Sequence, residues 1–266
     1  MNRPAKIPGP ARGAIGATIA SGALTAFAGA PAKLGALLHR RYPSVAVTGM
    51  TGVGKTRLAD RLARRVSDAG TTDVGSAVME RRTRSSARGR GFRFRVVPGD
   101  NAATRLGALD EVFHDDPVDG VLHVVAWGHA TPRRTAGVSG TAEAAREAQL
   151  AAELEDWAVT SHLVASMAVR REKPIWLVIV VTKADLFEDE LDEALRYYSP
   201  GGGSPFGQKL DELRALAGGA RLSIDVLPMC SPEAPTGGTG ADEEQGRCDA
   251  RLSALETRME QLSGHV

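Results

Sequence analysis

Residues 45–58 read VAVTGMTGVGKTRL: an apolar run, a turn carrying three glycines, then the opening of a helical pattern. Inside it, Gly49, Met50, Thr51, Gly52, Val53, Gly54, Lys55 and Thr56 meet the spacing GxxxxGK[ST]. That motif needs a strand before it and a helix directly after it, and it has both. Glycine reaches backbone conformations closed to other residues. Glycines at 49, 52 and 54 therefore let the chain turn its N–H groups inward around an anion. The positive end of the following helix adds to that field. Lys55 is expected to bridge the terminal phosphates of a nucleotide and the Thr56 hydroxyl to ligate magnesium, with groups from Gly49 to Arg57 completing the cradle.

Working outward, short apolar runs alternate with helical patterns from Tyr42 onward. SVAVTG (44–49) predicts a strand and TRLADRLARRVSDAG (56–70) a helix. GFRFRVVPG (91–99) alternates Phe92, Phe94 and Val96 with Arg93 and Arg95, the period of a half-buried strand near a sheet edge. NAATRLGALDEVF (101–113) predicts a short helix, and VDGVLHVVAW (118–127) another strand. A long helix follows over 141–170, with Leu150, Leu154, Trp157, Val164 and Met167 near one stripe. PIWLVIVVT (174–182) is apolar on both faces, as a central parallel strand must be. A helix over QKLDELRALAG, a strand over RLSIDVLPM and an amphipathic terminal helix carrying Leu252, Leu255, Met259 and Leu262 complete the chain. This alternation predicts an α/β class with an open, mainly parallel sheet covered on both faces. Ligands on such sheets bind at the carboxyl ends of the strands.

One strand end carries a second motif: VIVVTKADLF places Thr182, Lys183, Ala184 and Asp185 just past the apolar run. With the phosphate loop and the order of elements over roughly residues 42–264, it resembles the Ras-like and translation-factor-like class of P-loop GTPases. The resemblance implies a P-loop NTPase, Ras-like GTPase fold with a mainly parallel six-stranded sheet between helices, binding GTP or GDP with Mg2+. It implies that Asp185 accepts from the guanine ring N–H and amino group while the stem of Lys183 lies across the base. Adenine offers no such donor pair, so the carboxylate would be left unpaired against it. Thr182 stands where asparagine is commoner and is expected to lose the contact that braces the phosphate loop. Met229, Cys230 and Ser231 fall at the family's last motif, where backbone N–H groups approach the guanine oxygen; the nucleotide-binding candidates there are Cys230 and Ser231. The PGD segment and YYSPGGGSPF (197–206) also resemble bacterial GTP-binding proteins of unassigned function.

The anomaly lies at residues 96–100, VVPGD. The family's second-switch aspartate aligns with Val96, an apolar residue that cannot hold a magnesium-bound water. Gly99 is in place to offer its N–H to a terminal phosphate, and Asp100 stands where the family often positions water. Three accounts stay open. Asp100 supplies the outer shell of the metal; or binding persists with very slow hydrolysis; or the carboxylate comes from Asp73, Glu80 or Asp115. The catalytic candidates are therefore Lys55, Gly99 and Asp100, and the metal candidates Thr56 and Thr72, with Thr71 the alternative to Thr72. Arg81, Arg82, Arg84, Arg88, Arg90, Arg93 and Arg95 crowd the first-switch segment. They read as solvated loop charges, as an internal arginine finger or as a landing site for an acidic partner. His123 is expected in the core and His129 near the site.

A chain of 266 residues, 42% apolar and 24% charged with formal net charge +1, is an ordinary globular composition and gives no support to nucleic-acid binding. Cys230 and Cys248 form neither a metal-ligand pattern nor a disulfide framework, which fits a cytoplasmic setting. Residues 1–41 predict a small-residue leader ahead of a GTPase-like domain over 42–266. The leader's basic start, apolar middle and AGA at 28–30 imitate an export signal. A nucleotide site argues against export, and the leader reads as disordered or helical, with partner or membrane contact through residues 14–38 as the open alternative. The function implied is a GTP-binding switch on a protein partner, moving segments 71–95 and 97–112 and hydrolysing GTP slowly. A partner or a second copy, as in a homodimer, would supply a missing group. The alternatives are a non-hydrolysing interaction module and an ATP-using P-loop ATPase or kinase.

Overall fold

The structure, a computed structural model, describes residues 42–64, 79–85, 91–99, 102–131, 146–230 and 241–264. The leader of residues 1–41 lies outside them. Six strands form one sheet: β1 (Ser44–Thr48), β2 (Glu80–Ser85), β3 (Gly91–Val96), β4 (Gly120–Val125), β5 (Ile175–Val181) and β6 (Leu222–Pro228). Their order is β2-β3-β1-β4-β5-β6, and every neighbouring pair is parallel except β2 with β3. The α/β architecture with a mainly parallel six-stranded sheet is thus the expected one.

β1, β4 and β5 are buried along their whole length, which is why their sequences are nearly continuous apolar runs. The pleat divides β5 between two cores. Ile175, Leu177, Ile179 and Val181 face α2 (Ala102–Asp110), α3 (Arg146–Arg170) and α5 (Pro205–Ala217), where Trp157, Val164, Met167 and Leu210 pack. Trp176, Val178 and Val180 face α1 (Lys55–Leu62) and α6 (Ala241–Leu262), meeting Leu58, Leu62, Leu255 and Met259. Each such side chain contributes about 1.5–3 kcal/mol when fully buried. That burial, and not propensity, holds the eight residues of α1, since an isolated helix so short is unstable in water.

Local chemistry explains where elements begin. α5 starts at Pro205, three residues before the expected start at Gln208, because the Ser204 hydroxyl accepts from Gly207 N at 2.8 Å and proline fits the first helical position. It stops at Gly218, whose φ is +81°. Between α5 and β5, α4 (Leu191–Tyr197) follows two short 3-10 turns, Ala184–Leu186 and Glu188–Glu190. A π-helical turn, Glu111–Asp115, extends α2.

Two expectations need correction. The stretch from Arg81 to Arg95 is not one switch loop: β2 and β3 pair antiparallel from Glu80↔Val96 to Ser85↔Gly91. ERRTRS has no apolar face, so its strand character is invisible in the sequence. It comes from the pairing and from ion pairs, Arg82 to Asp60 on α1 at 2.7 Å and Arg84 to Glu256 on α6 at 2.6 Å. Arginines along this edge also block further strand addition. Secondly, Arg95 does not face solvent. It is 6% exposed, paired with the Asp116 carboxylate, and donates to the Asp116 carbonyl at 3.1 Å.

Candidate functional site

The loop between β1 and α1 adopts the conformation its glycines permit, with φ of +128°, +81° and +94° at Gly49, Gly52 and Gly54. Gly54 caps α1 without any side-chain hydrogen bond, which leaves the first N–H groups of the helix directed at the loop. Lys55 is buried, and its Nζ donates to Met50 O at 2.8 Å, so the ammonium lies across the loop. Thr56 is half-buried on the first turn of α1, while Arg57 is exposed. Val53 is fully buried beneath the turn.

The turn at Thr182–Asp185 is tied to this loop. Thr182 Oγ1 donates to Val53 O at 2.7 Å and also approaches Val125 O at 2.9 Å. The expected loss of the bracing contact is therefore corrected: the shorter threonine reaches the phosphate-loop carbonyl directly. Lys183 sits at φ +58°, a left-handed conformation that costs a non-glycine residue about 1–3 kcal/mol. It is held there by its ammonium, which donates to His129 O at 2.7 Å and Thr131 Oγ1 at 2.6 Å. Thr131 N in turn donates to Gly52 O at 3.0 Å. Residues 129–131 thus link both motifs, and the ring of His129 stacks on Phe187 at 5.2 Å. Asp185 is half-buried in the turn Ala184–Leu186, and Ala184 N donates to Met229 O at 3.1 Å, which brings buried Cys230 alongside.

The carboxyl end of β3 is different. Val96 and Val97 are buried at 4% and 1% exposure. Gly99 comes up against the loop. A Cβ on it would stand 2.6 Å from Thr51 Oγ1 and 2.9 Å from Lys55 Nζ, so only glycine lets the backbone come this close. Asp100, Thr71, Thr72, Asp73, Ser231, Arg88 and Arg90 lie outside the described residues. Glu80 is paired with Arg82 at 2.5 Å. Asp115 is exposed in the turn that feeds the amino end of β4, where Asp119 N donates to Ser44 O at 2.7 Å, at the edge of the sheet opposite the phosphate loop.

A buried polar layer under the loop was not anticipated. His123 is in the core as expected, its Nδ1 3.0 Å from Thr48 Oγ1 and its ring edge-on to Trp157 at 4.7 Å. Burial, then the charges of Arg105 and Lys55, push its pKa down to about 3, so it is neutral. Asp156 on α3 pairs with Arg105 of α2 at 2.6 Å, and its Oδ2 is buried with no partner among the described residues. Burial raises its pKa, against the opposing charges of Arg105 and Lys55. Glu153 accepts from Ala126 N at 2.8 Å and from the Tyr198 hydroxyl, and burial pushes it up to about 7. The signal was present: 153, 156 and 160 recur at helical spacing beside Trp157 and Val164, so polar residues interrupt a buried stripe.

For magnesium, the donor chemistry is limited but consistent. Among the described residues no cluster of three His, Cys, Asp or Glu could hold an ion unaided. The half-buried Thr56 hydroxyl is a hard oxygen donor beside the loop, of the kind that would suit an ion that keeps its waters and takes its other oxygens from phosphates.

No protein-family profile matches the chain, and no curated protein matches its sequence. Among solved structures, the chain is similar to a GTP-binding protein from the archaeon Sulfolobus solfataricus in complex with GDP, at 14% identity and TM-score 0.38 over 89% of this chain. It spans 61% of that protein's length. It is also similar to the mammalian SRP receptor, at 17% identity and TM-score 0.44, over 70% of this chain and 90% of the other. Both TM-scores lie below 0.5, so the architecture stands on the sheet order and loop geometry described above.

Proposed function

We propose that the chain is a guanine-nucleotide-binding protein of the P-loop GTPase class, a switch that hydrolyses GTP slowly on its own. The observation that carries this reading is the bond from Thr182 to Val53, which couples a base-reading turn to a phosphate loop. The distance between phosphate and base contacts is thereby set by the protein before a ligand arrives, and such preorganisation favours one class of ligand. Lys55, the loop N–H groups and the amino end of α1 hold the phosphates, and Thr56 with Thr72 holds magnesium, whose charge stabilises the transferring phosphoryl group when bound. Asp185 selects guanine, and the backbone of Cys230 and Ser231 approaches its oxygen.

Slow turnover follows from Val96, which offers no acceptor for a metal-bound water. Gly99 senses the terminal phosphate, and Asp100 is the nearest acid in the sequence. The residues around 71–79 and after Gly99 then report nucleotide state to a protein partner in the cytoplasm, with residues 14–38 as a membrane or partner contact. A partner or second copy completes the catalytic set. Among the described residues no helix is long and apolar enough to cross a membrane. Val96 equally favours a second reading, a nucleotide-binding module with no hydrolysis.

The test is a competition titration of GTP against ATP with magnesium present, following released phosphate in the same samples. GTP preference with slow release supports the switch, and GTP preference without release supports the second reading. Equal or tighter ATP binding overturns both.

A further inference from the structure

We propose that Cys230 and Cys248 are a modification site: a dithiol that closes to a reversible disulfide against the base-reading turn. The chain has two cysteines in 266 residues, and both are free and buried. Cys230 follows β6 at the carboxyl edge of the sheet, and Cys248 is buried on α6 beside Asp249, which pairs at 3.7 Å with the same Arg61 that holds Cys230. Arg251, one helical turn after Cys248, donates to Cys230 Sγ at 3.3 Å and pairs with Glu188 at 2.7 Å. Arg61 of α1 donates to Cys230 O at 2.9 Å.

These contacts assign unequal roles to the sulfurs. Cys230 Sγ is the sulfur that accepts from the Arg251 guanidinium, so we assign it the attack. Burial, then the neighbouring Cys230, with the Asp185 carboxylate adding to both, push the Cys248 thiol up to about 12 and keep its proton in place. Both cysteines are buried, which restricts the oxidant to one near the size of water, and hydrogen peroxide is that class. The Cys230 sulfur attacks one peroxide oxygen as its thiol proton departs; the O–O bond breaks, and the leaving hydroxide takes that proton to become water. The resulting sulfenic acid is attacked by the Cys248 sulfur; the S–O bond breaks, and the oxygen departs as a second water with the thiol proton. Two thiols are oxidised and one peroxide is reduced.

Closure draws Cys230 towards α6. Met229, its neighbour, accepts from Ala184 N in the base-reading turn, so the movement pulls on the residue beside Asp185. Guanine-nucleotide affinity is then expected to fall about tenfold; this consequence rests on the function proposed above, whereas the disulfide does not.

Arg247 makes the bond directly readable, because trypsin separates residues 222–247 from 248–251 unless a disulfide joins them. The full chain is reduced, exposed to hydrogen peroxide, blocked with N-ethylmaleimide and digested. A linked pair of peptides is expected, lost after dithiothreitol and absent in Cys248→Ser, with Cys248→Ala as substitute should the serine variant not fold. In parallel, GDP titration should weaken about tenfold on oxidation of the wild type, recover with dithiothreitol, and stay at the reduced value in Cys248→Ser. Absence of the linked pair overturns the proposal, and a linked pair with unchanged GDP affinity overturns its regulatory consequence. A reduced protein that binds no guanine nucleotide removes the functional reading instead, and the linked peptide still decides the disulfide.

Discussion

The carboxyl ends of β1 and β5 and the carboxyl end of β3 border the same loop but are built from opposite materials. At the first, Thr182, Lys183, Lys55 and Thr131 are cross-linked by hydrogen bonds of 2.6–3.0 Å. At the second, Val96 and Val97 are buried apolar residues, and the backbone of Gly99 comes up against the loop. Polar tethering and apolar burial are therefore kept apart at this end of the sheet. Under the proposed reading, the described part of the phosphate and base contacts is tied together by polar bonds, while the position of the second-switch carboxylate is part of the core.

The sharpest way to break that contrast is at the base. Asp185→Asn should lower GTP affinity about 100-fold or more with ATP affinity unchanged, and should raise the affinity for xanthine nucleotide, because a buried site that loses its matched acceptor rejects the donor pair. Competition titration reads this directly, and an unaltered GTP preference removes Asp185 from base selection. Lys55→Ala should cost about 50-fold in affinity for GTP and GDP alike, the scale of one charge-assisted hydrogen bond to phosphate. A loss confined to one nucleotide would place Lys55 outside the common phosphate cradle.

The polar layer beneath the loop gives a pH test. His123 has its pKa pushed down to about 3 from an ordinary 6.5. Below 6.5 the unfolded chain takes a proton that the folded chain refuses, so the stability associated with His123 is complete above about pH 6.5 and is lost as pH falls towards 3. Over the interval from pH 6.5 to 5 this amounts to roughly 2 kcal/mol. Glu153 acts in the other direction: with its pKa raised to about 7 from 4.5, its contribution is present at low pH and is lost as pH rises through that window. The measurement is therefore a difference. Chemical denaturation of wild type and His123→Asn at several pH values should give a variant whose stability falls less steeply on acidification. Parallel curves would mean that His123 is hydrated or charged in the folded protein.

Most of the sheet and of the two candidate loops was legible in the sequence because their signals are local. GxxxxGK[ST] and the Thr-Lys-x-Asp turn are short contiguous motifs at strand ends, and β1, β4 and β5 announce themselves as apolar runs. What escaped depends on partners distant in the chain. β2 is a strand because Arg82 and Arg84 find Asp60 and Glu256, 22 and 172 residues away. Arg95 is buried because the turn at Asp116 folds over it. The brace at Thr182 was misjudged because family resemblance supplies an expected residue type, while reach is set by backbone approach, 129 residues apart. Asp156 and Glu153 were hidden inside a helix read for its apolar stripe alone.

The smallest effect tests the brace itself. Thr182→Val keeps the shape and removes one hydroxyl proton, the donor that serves Val53 O at 2.7 Å. Val125 O retains the Thr182 backbone N–H at 2.9 Å, so the deficit falls on the phosphate-loop carbonyl alone. A neutral hydrogen bond contributes about 0.5–1.5 kcal/mol, and its loss should weaken GTP and GDP binding about fivefold while leaving the GTP-to-ATP ratio unchanged. Thr182→Ser, which keeps the hydroxyl, should bind like wild type. The ratio matters more than the affinity: a brace that positions the loop acts on phosphates, which all nucleotides share, whereas a contact that orients Asp185 acts on the base. A shifted ratio would move Thr182 from the first role to the second. Binding as tight as wild type would leave the two ends of the sheet differing in composition but not in what they hold in place.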